Sequence, residues 1–293
     1  MMTIMIFNGS PTQEAEAAVS IWDHGLLYGV GAFETFRVYD NHLFLIDDHM
    51  DRLDRALKRM MIRNPFTRLE WENQIQEALR QNGIQNGTVR LCVTGGVEGL
   101  GLHTAYYHQP TTMIFVRPLP FYPNQLFQEG KKLQVVSIPR QANREITAFK
   151  SNNFLNFVLA RQEVEGFPKT EGLLLTEDNY LAEGIVSNLF FISKGKICTP
   201  SLELGILPGI TRKWLLHLAK EKGYPTEEGY YTLSDLDRAD EIFMTNSVQE
   251  MIPIYSWQDQ QKRRSSSIVQ ELYQAYQEYT KKLRSVDQFV RGE

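Results

Sequence analysis

Phe149-Lys150-Ser151-Asn152-Asn153-Phe154-Leu155-Asn156-Phe157-Val158-Leu159-Ala160 sets a single lysine ahead of a run with helical character. Further along, Leu181-Ala182-Glu183-Gly184-Ile185-Val186-Ser187-Asn188-Leu189-Phe190-Phe191 sets a glutamate among small residues, followed by an asparagine and an apolar strand. Isolated lysines are mostly solvated surface charges. Here the flanks are apolar and amide-rich, which suits an amine held in a pocket. Glu183 follows Asp178-Asn179, as an exposed turn glutamate would, yet it enters a segment that reads as a buried strand.

The surrounding composition bounds what these two arms can do. The chain has 293 residues, enough for one large or two medium domains, and its 42% hydrophobic and 23% charged content supports a sizeable core. A net charge of -4 argues against a nucleic-acid partner, and the Lys262-Arg263-Arg264 triplet reads as the polar entry to a helix. Met1 to Phe7 has neither a basic start nor a long apolar core, so no secretory signal is expected. No apolar run is long enough to span a bilayer. Cys92 and Cys198 are far apart and read as reduced thiols of a cytoplasmic protein. The six histidines form no HExxH, and His103 and His108 lie in a loop rich in Gly and Tyr, so no metal is expected.

Periodicity gives the organisation. Met5-Ile6-Phe7 before Asn8-Gly9 reads as a strand entering a turn. Glu34 to Tyr39 and His42 to Ile46 read as a hairpin around Asp40-Asn41. A helix is expected over Asp47 to Ile62, capped by Asp47 or Asp48, with Met50, Leu53 and Leu57 on one face. A second is expected from Leu69 to Gln81, with Trp71, Ile75 and Leu79 aligned and Gly83 beyond its end. Strands are expected at Thr88 to Thr94, Thr112 to Val116, Leu133 to Ile138, Gly172 to Thr176, Leu189 to Ile192 and Glu241 to Thr245. Helices are expected from near Ser151, Thr211 and Ser266, the last with Ile268, Leu272, Ala275, Tyr279 and Leu283 on one stripe. The prolines of Arg117-Pro118-Leu119-Pro120-Phe121-Tyr122-Pro123 mark a linker. This predicts an N-terminal α+β domain over residues 1–117, a linker over 118–126 and a C-terminal α/β domain over 127–293 that carries Lys150.

Two further motifs complete the picture. Pro208-Gly209-Ile210-Thr211-Arg212 opens a helix, and His49-Met50-Asp51-Arg52-Leu53 sits inside another. With the lysine and glutamate arms, they resemble the fold type IV family of pyridoxal 5'-phosphate (PLP) enzymes. That family holds branched-chain aminotransferases, D-amino-acid aminotransferases and aminodeoxychorismate lyases. The resemblance runs from Asn8 to about Pro253. It implies a two-domain fold like that of the D-amino-acid aminotransferases, PLP as cofactor, a small-molecule substrate and a homodimer. It also assigns roles. Lys150 forms the Schiff base, since an amine must condense with the cofactor aldehyde. Glu183 pairs with the pyridine nitrogen, which makes the ring an electron sink. Ser187 and Asn188 complete that motif. The N–H groups of Ile210 and Thr211, the Thr211 hydroxyl, the Arg52 guanidinium and the Thr245-Asn246 pair would hold the phosphate.

Trp22-Asp23-His24-Gly25-Leu26-Leu27-Tyr28-Gly29-Val30-Gly31-Ala32-Phe33-Glu34 also matches the family, except that Val30 stands where an Asp is usual. By the same resemblance Tyr28, Thr35 and Arg37 line the substrate side. Three features lean toward the lyases. The Thr94 to His103 loop lacks the Arg-x-His pair of D-amino-acid aminotransferases. Thr35 replaces the Gly usual in branched-chain aminotransferases. The Thr199 to Leu207 and Thr245 to Glu250 passages look most like lyases of Gram-positive bacteria. The expected reaction converts 4-amino-4-deoxychorismate to 4-aminobenzoate, a folate precursor, and pyruvate. An aminotransferase is the alternative reading, and a non-catalytic protein that keeps the fold is a more distant one.

Overall fold

The computed structural model describes residues 3–119, 123–141, 149–258, 260–261 and 267–291. The Lys262-Arg263-Arg264 triplet and Pro120-Phe121-Tyr122 of the expected linker lie outside the described residues. Contacts divide the chain into two compact units. The first comprises Met1–Pro120, Phe149–Asn153 and Thr280–Phe289, and the second Phe121–Ala148, Phe154–Tyr279 and Val290–Glu293. This corrects the simple cut expected from the proline run. The Lys150 segment packs with the first unit, and a helix, Pro123–Glu129, occupies part of the expected linker.

The first unit is built on a six-stranded sheet of β1 (Ile4–Phe7), β2 (Ser10–Gln13), β3 (Gly31–Tyr39), β4 (His42–Leu43), β5 (Gly87–Thr94) and β6 (Thr111–Pro118). Their order across the sheet is β2-β1-β6-β5-β3-β4. Asp40 and Asn41, both with positive φ, turn β3 into β4, as two-residue hairpins require. Because side chains alternate along a strand, β3 presents two different faces. Ala32, Phe36 and Val38 join Val89, Leu91, Ile114 and Val116 in the core beneath the helices Ile46–Arg59 and Arg68–Gln81. Phe33, Thr35 and Arg37 lie on the opposite face, with Cys92, Arg90 and Thr88 as their β5 partners.

The helix Ile46–Arg59 starts differently from the sequence expectation. Its N-cap is Leu45, in the left-handed region with φ 54 and no side-chain cap, and Asp47 and Asp48 lie in its first turn. The C-terminal segment supplies acceptors for the free N–H groups of this end. Leu45 N donates to Leu283 O at 3.1 Å and Asp47 N to Arg284 O at 2.9 Å. Asp48 in turn accepts from Val286 N at 2.7 Å. Leu283 therefore belongs to this strap and not to the stripe expected from Ile268, whose helix spans Ser267–Tyr279. The helix Arg68–Gln81 does begin with a capping box between Thr67 and Glu70.

The second unit is built on nine strands: β7 (Lys131–Val135), β8 (Thr170–Leu175), β9 (Leu181–Gly184), β10 (Asn188–Ser193), β11 (Lys196–Pro200), β12 (Thr226–Gly229), β13 (Glu241–Asn246), β14 (Glu250–Trp257) and β15 (Gln260–Gln261). The order β12-β11-β10-β13-β14-β7-β8-β9 returns on itself, because β9 also pairs with β10. Six strands thus close into a barrel, which removes their edges. The closing pair is Glu183↔Asn188, two of the expected site residues. Leu173, Leu189, Met244, Ile252 and Ile254 are wholly buried in this unit. Among the described residues no helix is long and apolar enough to cross a membrane.

Candidate active site

In the second unit, strand closure draws the expected residues together. Glu183 is 4% exposed at the end of β9. Its Oε1 accepts from Arg140 Nε at 2.5 Å. Its Oε2 accepts from Leu207 N at 3.0 Å and from Asn188 Nδ2 at 3.4 Å. An ionised carboxylate offers about four acceptor sites. Three are used among the described residues, and the remaining one, on Oε1, suits a single ring N–H. Arg140 was not found from the sequence. It is a lone arginine after Pro139, with no periodicity to mark it. Its guanidinium also lies 5.2 Å from the Phe157 ring centre.

Of the residues expected at a phosphate, the helix start at Ile210 and Thr211 and the Thr245-Asn246 pair come together in this unit around Asn188, the neighbour of this carboxylate. Gly209 is the N-cap of the helix Ile210–Glu221 and contributes no side-chain cap. A Cβ there would stand 2.0 Å from Asn188 Oδ1, so only glycine lets the helix start come this close. Free N–H groups at that end and the helix dipole favour an anion. Thr211 Oγ1 lies 3.3 Å from Ser247 Oγ, which brings the helix start to the turn after β13. Asn246 Oδ1 shapes that turn by accepting from Val248 N at 2.9 Å and Gln249 N at 2.7 Å. Thr245 Oγ1 is buried and has no hydrogen-bond partner among the described residues. A buried hydroxyl without a partner, beside an uncapped helix start, fits a phosphate group.

Thr245→Val is expected to weaken PLP binding by about 10- to 100-fold, the value of one hydrogen bond to a charged group. The same change is expected to leave the cofactor-free protein as stable or about 1 kcal/mol more stable, since it removes an unsatisfied buried group. Titration of the cofactor-free variant with PLP and a urea melt read both quantities. Unchanged PLP affinity would remove Thr245 from the site.

In the first unit, the lysine arm is an extended segment laid on the start of β3. Phe33 N donates to Lys150 O at 2.8 Å and Asn152 N to Gly31 O at 3.0 Å. Ser151 bridges Ala32. The helix expected from near Ser151 therefore begins only at Leu155. Added Cβ atoms at Gly29 and Gly31 would come within 2.5 Å of Asn153 Oδ1 and 2.6 Å of Asn152 Nδ2, so both glycines make room for the arm. Lys150 Nζ lies 4.8 Å from the Phe33 ring centre, and the Arg90 guanidinium lies 3.9 Å from it. Arg90, missed from the sequence, is an exposed cation on a strand of otherwise mostly buried residues. Thr35 sits opposite it, half-buried. Arg37 is buried with its guanidinium 4.2 Å from the Tyr39 ring centre. Tyr28 accepts from Gly101 N at 2.8 Å, so its hydroxyl fastens the loop around residues 99–102.

Arg52 calls for a correction to its expected geometry. Its Nε and Nη2 clasp Glu34 Oε1 and Oε2 at 2.8 and 2.7 Å, so its fork is committed to a carboxylate. His49 Nδ1 donates to Glu34 Oε2 at 2.7 Å. Burial alone would raise the Glu34 carboxyl, but the charge and hydrogen bonds of Arg52, with those of His49, outweigh it and hold it at about 2, below the ordinary 4.5. Burial pushes the His49 imidazole down, against Glu34, which pulls it up.

Glu34 carries a stability prediction. The unfolded chain protonates Glu34 at higher pH than the folded one. Its contribution is complete above about 4.5 and is lost as pH falls through about 2. The amount is about 3 kcal/mol. His49 adds loss of the same sign below its ordinary 6.5. The wild-type urea midpoint is expected to drop between about pH 5 and about pH 2. Glu34→Gln is expected to be less stable at neutral pH by about 3–5 kcal/mol, since the buried Arg52 fork loses the carboxylate charge it clasps, and to lack the Glu34 part of the acid slope. An acid slope of equal size in the variant would contradict this.

No group of His, Cys, Asp and Glu among the described residues could hold a metal, and Cys92 and Cys198 are free and buried.

Aminodeoxychorismate lyase of Bacillus subtilis is 39% identical to this chain over 272 residues, covering 91% of this chain and 92% of that protein. A provisionally named branched-chain-amino-acid aminotransferase of Methanocaldococcus jannaschii is 37% identical over 249 residues, covering 85% of each. The solved T.th. branched-chain amino acid aminotransferase complexed with N-(5'-phosphopyridoxyl)-L-glutamate superimposes with a TM-score of 0.87 at 28% identity, covering 96% of this chain and 95% of that one. Residues 31–257 match the family described as amino-transferase class IV, and with that span the chain belongs to it.

Proposed function

We propose that this protein is a PLP-dependent lyase that converts 4-amino-4-deoxychorismate to 4-aminobenzoate and pyruvate. The observation that carries the reading is the 39% identity to the Bacillus subtilis lyase across nine-tenths of both chains. Thr35 and the absence of arginine from the loop of residues 95–107 support it. PLP, when bound, supplies an aldehyde for amines and a protonated ring that accepts electron density.

The chain's own residues do the rest. With PLP bound, Lys150 would hold it through its amine and would serve as the base that takes the proton from the amine-bearing ring carbon of the substrate. Glu183, its carboxylate fixed by Arg140, Leu207 N and Asn188, would keep the pyridine nitrogen protonated. Ser187 and Asn188 complete the ring side, while Ile210, Thr211, Thr245, Asn246 and the positive charge of Arg52 serve the phosphate. Loss of the enolpyruvyl C–O bond leaves an aromatic ring, so the step is strongly downhill and needs positioning above all. Arg90, Thr35 and Arg37 share a sheet face with the Phe33 ring under Lys150, and they suit the carboxylates of the substrate. Tyr28 contributes to the substrate side by holding the loop around residues 99–102.

We place the enzyme in the cytoplasm, in the supply of 4-aminobenzoate for folate, and working as a homodimer. Support for the dimer comes from exposed apolar side chains around one loop and one short helix: Ile21, Leu26, Leu100 and Leu102 are 69, 65, 75 and 85% exposed. The bond from Gly101 to Tyr28 joins these two elements. Sedimentation of the PLP-bound protein reads the assembly.

The test of function is incubation of the PLP-bound protein with aminodeoxychorismate and no keto acid. Continuing, equal release of 4-aminobenzoate and pyruvate is the expected result. A single half-reaction with leucine or D-alanine, completed only when a keto acid is added, would make it an aminotransferase instead, in keeping with the 37% identical relative.

A further inference from the structure

We infer that Lys131 and Glu171 form a positioning pair that locks two cofactor-binding turns of the second unit, residues 184–188 and 246–249, into one frame. Lys131 opens β7 and Glu171 lies on the neighbouring β8, and they are 3% and 6% exposed. Lys131 Nζ lies 3.5 Å from Glu171 Oε2 and donates to Gln249 Oε1 at 3.2 Å. Glu171 Oε1 accepts from Ser187 Oγ at 3.1 Å and from Val186 N at 3.5 Å. Gln249 Oε1 also accepts from Asn246 Nδ2 at 3.2 Å. A continuous polar chain therefore runs from Ser187 through Glu171 and Lys131 to Gln249 and Asn246.

The placement argues for a role beyond holding the barrel together. A buried ion pair is commonly less stabilising than apolar side chains of the same volume. Its advantage is directional, because each partner fixes the groups that hydrogen-bond to it. Here the groups so fixed are the two turns assigned to the cofactor, and the inference rests on that assignment. The Gly184 turn closes so tightly over the pair that a Cβ at Gly184 would stand 2.9 Å from Glu171 Oε1 and 2.3 Å from Ser187 Oγ. The pair acts through these neighbours and takes no part in the chemistry.

The test compares wild type, Lys131→Met, Glu171→Gln and the double variant Lys131→Met/Glu171→Leu. PLP affinity is read by titrating cofactor-free protein and following the absorbance of the lysine-linked cofactor. The urea midpoint of the cofactor-free protein and kcat at saturating PLP are read in parallel. Lys131→Met is expected to bind PLP at least about tenfold more weakly, the equivalent of one lost hydrogen bond to a charged group, and to keep kcat within about threefold. The apolar double variant is expected to regain the urea midpoint without regaining PLP affinity. If affinity returns with stability, or stays within about twofold of wild type in every variant, the pair is structural only and the inference fails. A wild-type protein that takes up no PLP would overturn both the cofactor assignment and the inference, an outcome distinct from unchanged affinity in the variants.

Discussion

Replacing Lys150 with alanine is expected to leave a folded protein with no steady turnover, a loss of at least about 10⁴-fold, since the proposed tether and general base would disappear together. The fold should survive because the arm is seated through its backbone. Phe33 N bonds to Lys150 O and Asn152 N to Gly31 O, and neither bond involves the lysine side chain. Asn152 and Asn153 still meet the space left at Gly31 and Gly29. Urea midpoints of variant and wild type should therefore agree within about 1 kcal/mol. Added PLP should bind without the absorbance of the lysine-linked form. Sustained release of 4-aminobenzoate and pyruvate by this variant would sink the Lys150 assignment.

The difference between what was legible in the sequence and what was not has a physical pattern. Trp71, Ile75 and Leu79 repeat at helical spacing, and all three are buried. Periodic burial leaves a mark that local reading recovers. The burial of Glu183 in a strand and the helix start at Gly209 were legible because their neighbours carry the pattern of a buried strand and of a helix opening. Arg140, Arg90, Lys131 and Glu171 leave no such mark. Each is one charge in or beside a strand, and its partner lies on another segment. The ion pairs Arg140–Glu183 and Lys131–Glu171 span 43 and 40 residues. Sequence distance of that kind is resolved only when the barrel closes.

The same point explains the misplaced boundaries. The helix after Lys150 starts late because the preceding residues pair with β3, a strand more than a hundred positions earlier. The Leu45 cap has no side-chain acceptor because Leu283 and Arg284 provide carbonyl oxygens from the far end of the chain. Local capping rules pointed to Asp47 and Asp48. The long-range acceptors prevailed, and the two aspartates remain in the first turn, where their charge suits the helix dipole.

Glu183→Gln is expected to lower kcat at saturating PLP by about 10²- to 10⁴-fold, the usual range for a group that holds a proton in the reaction. The amide keeps the size of the carboxylate but not its acceptors. One of its two positions becomes an NH₂ group. If that group faces Arg140 Nε, two donors oppose each other; if it faces Leu207 N, the same conflict arises there. Either way Arg140 is left buried without its counter-charge, which costs about 3–5 kcal/mol of stability. PLP should still bind, because Thr245, Thr211 and the helix start are untouched, and the lysine-linked absorbance should persist. That would separate Glu183 from the residues proposed for the phosphate, whose loss is expected to weaken binding first. Arg140→Met tests the positioning half of the argument: the carboxylate stays, its orientation loosens, and a fall in kcat of about tenfold is expected with PLP still bound. If Glu183→Gln kept kcat within about threefold of wild type, the carboxylate would not be the partner of the ring nitrogen, and its buried cage of Arg140, Asn188 and Leu207 would serve only to close the barrel.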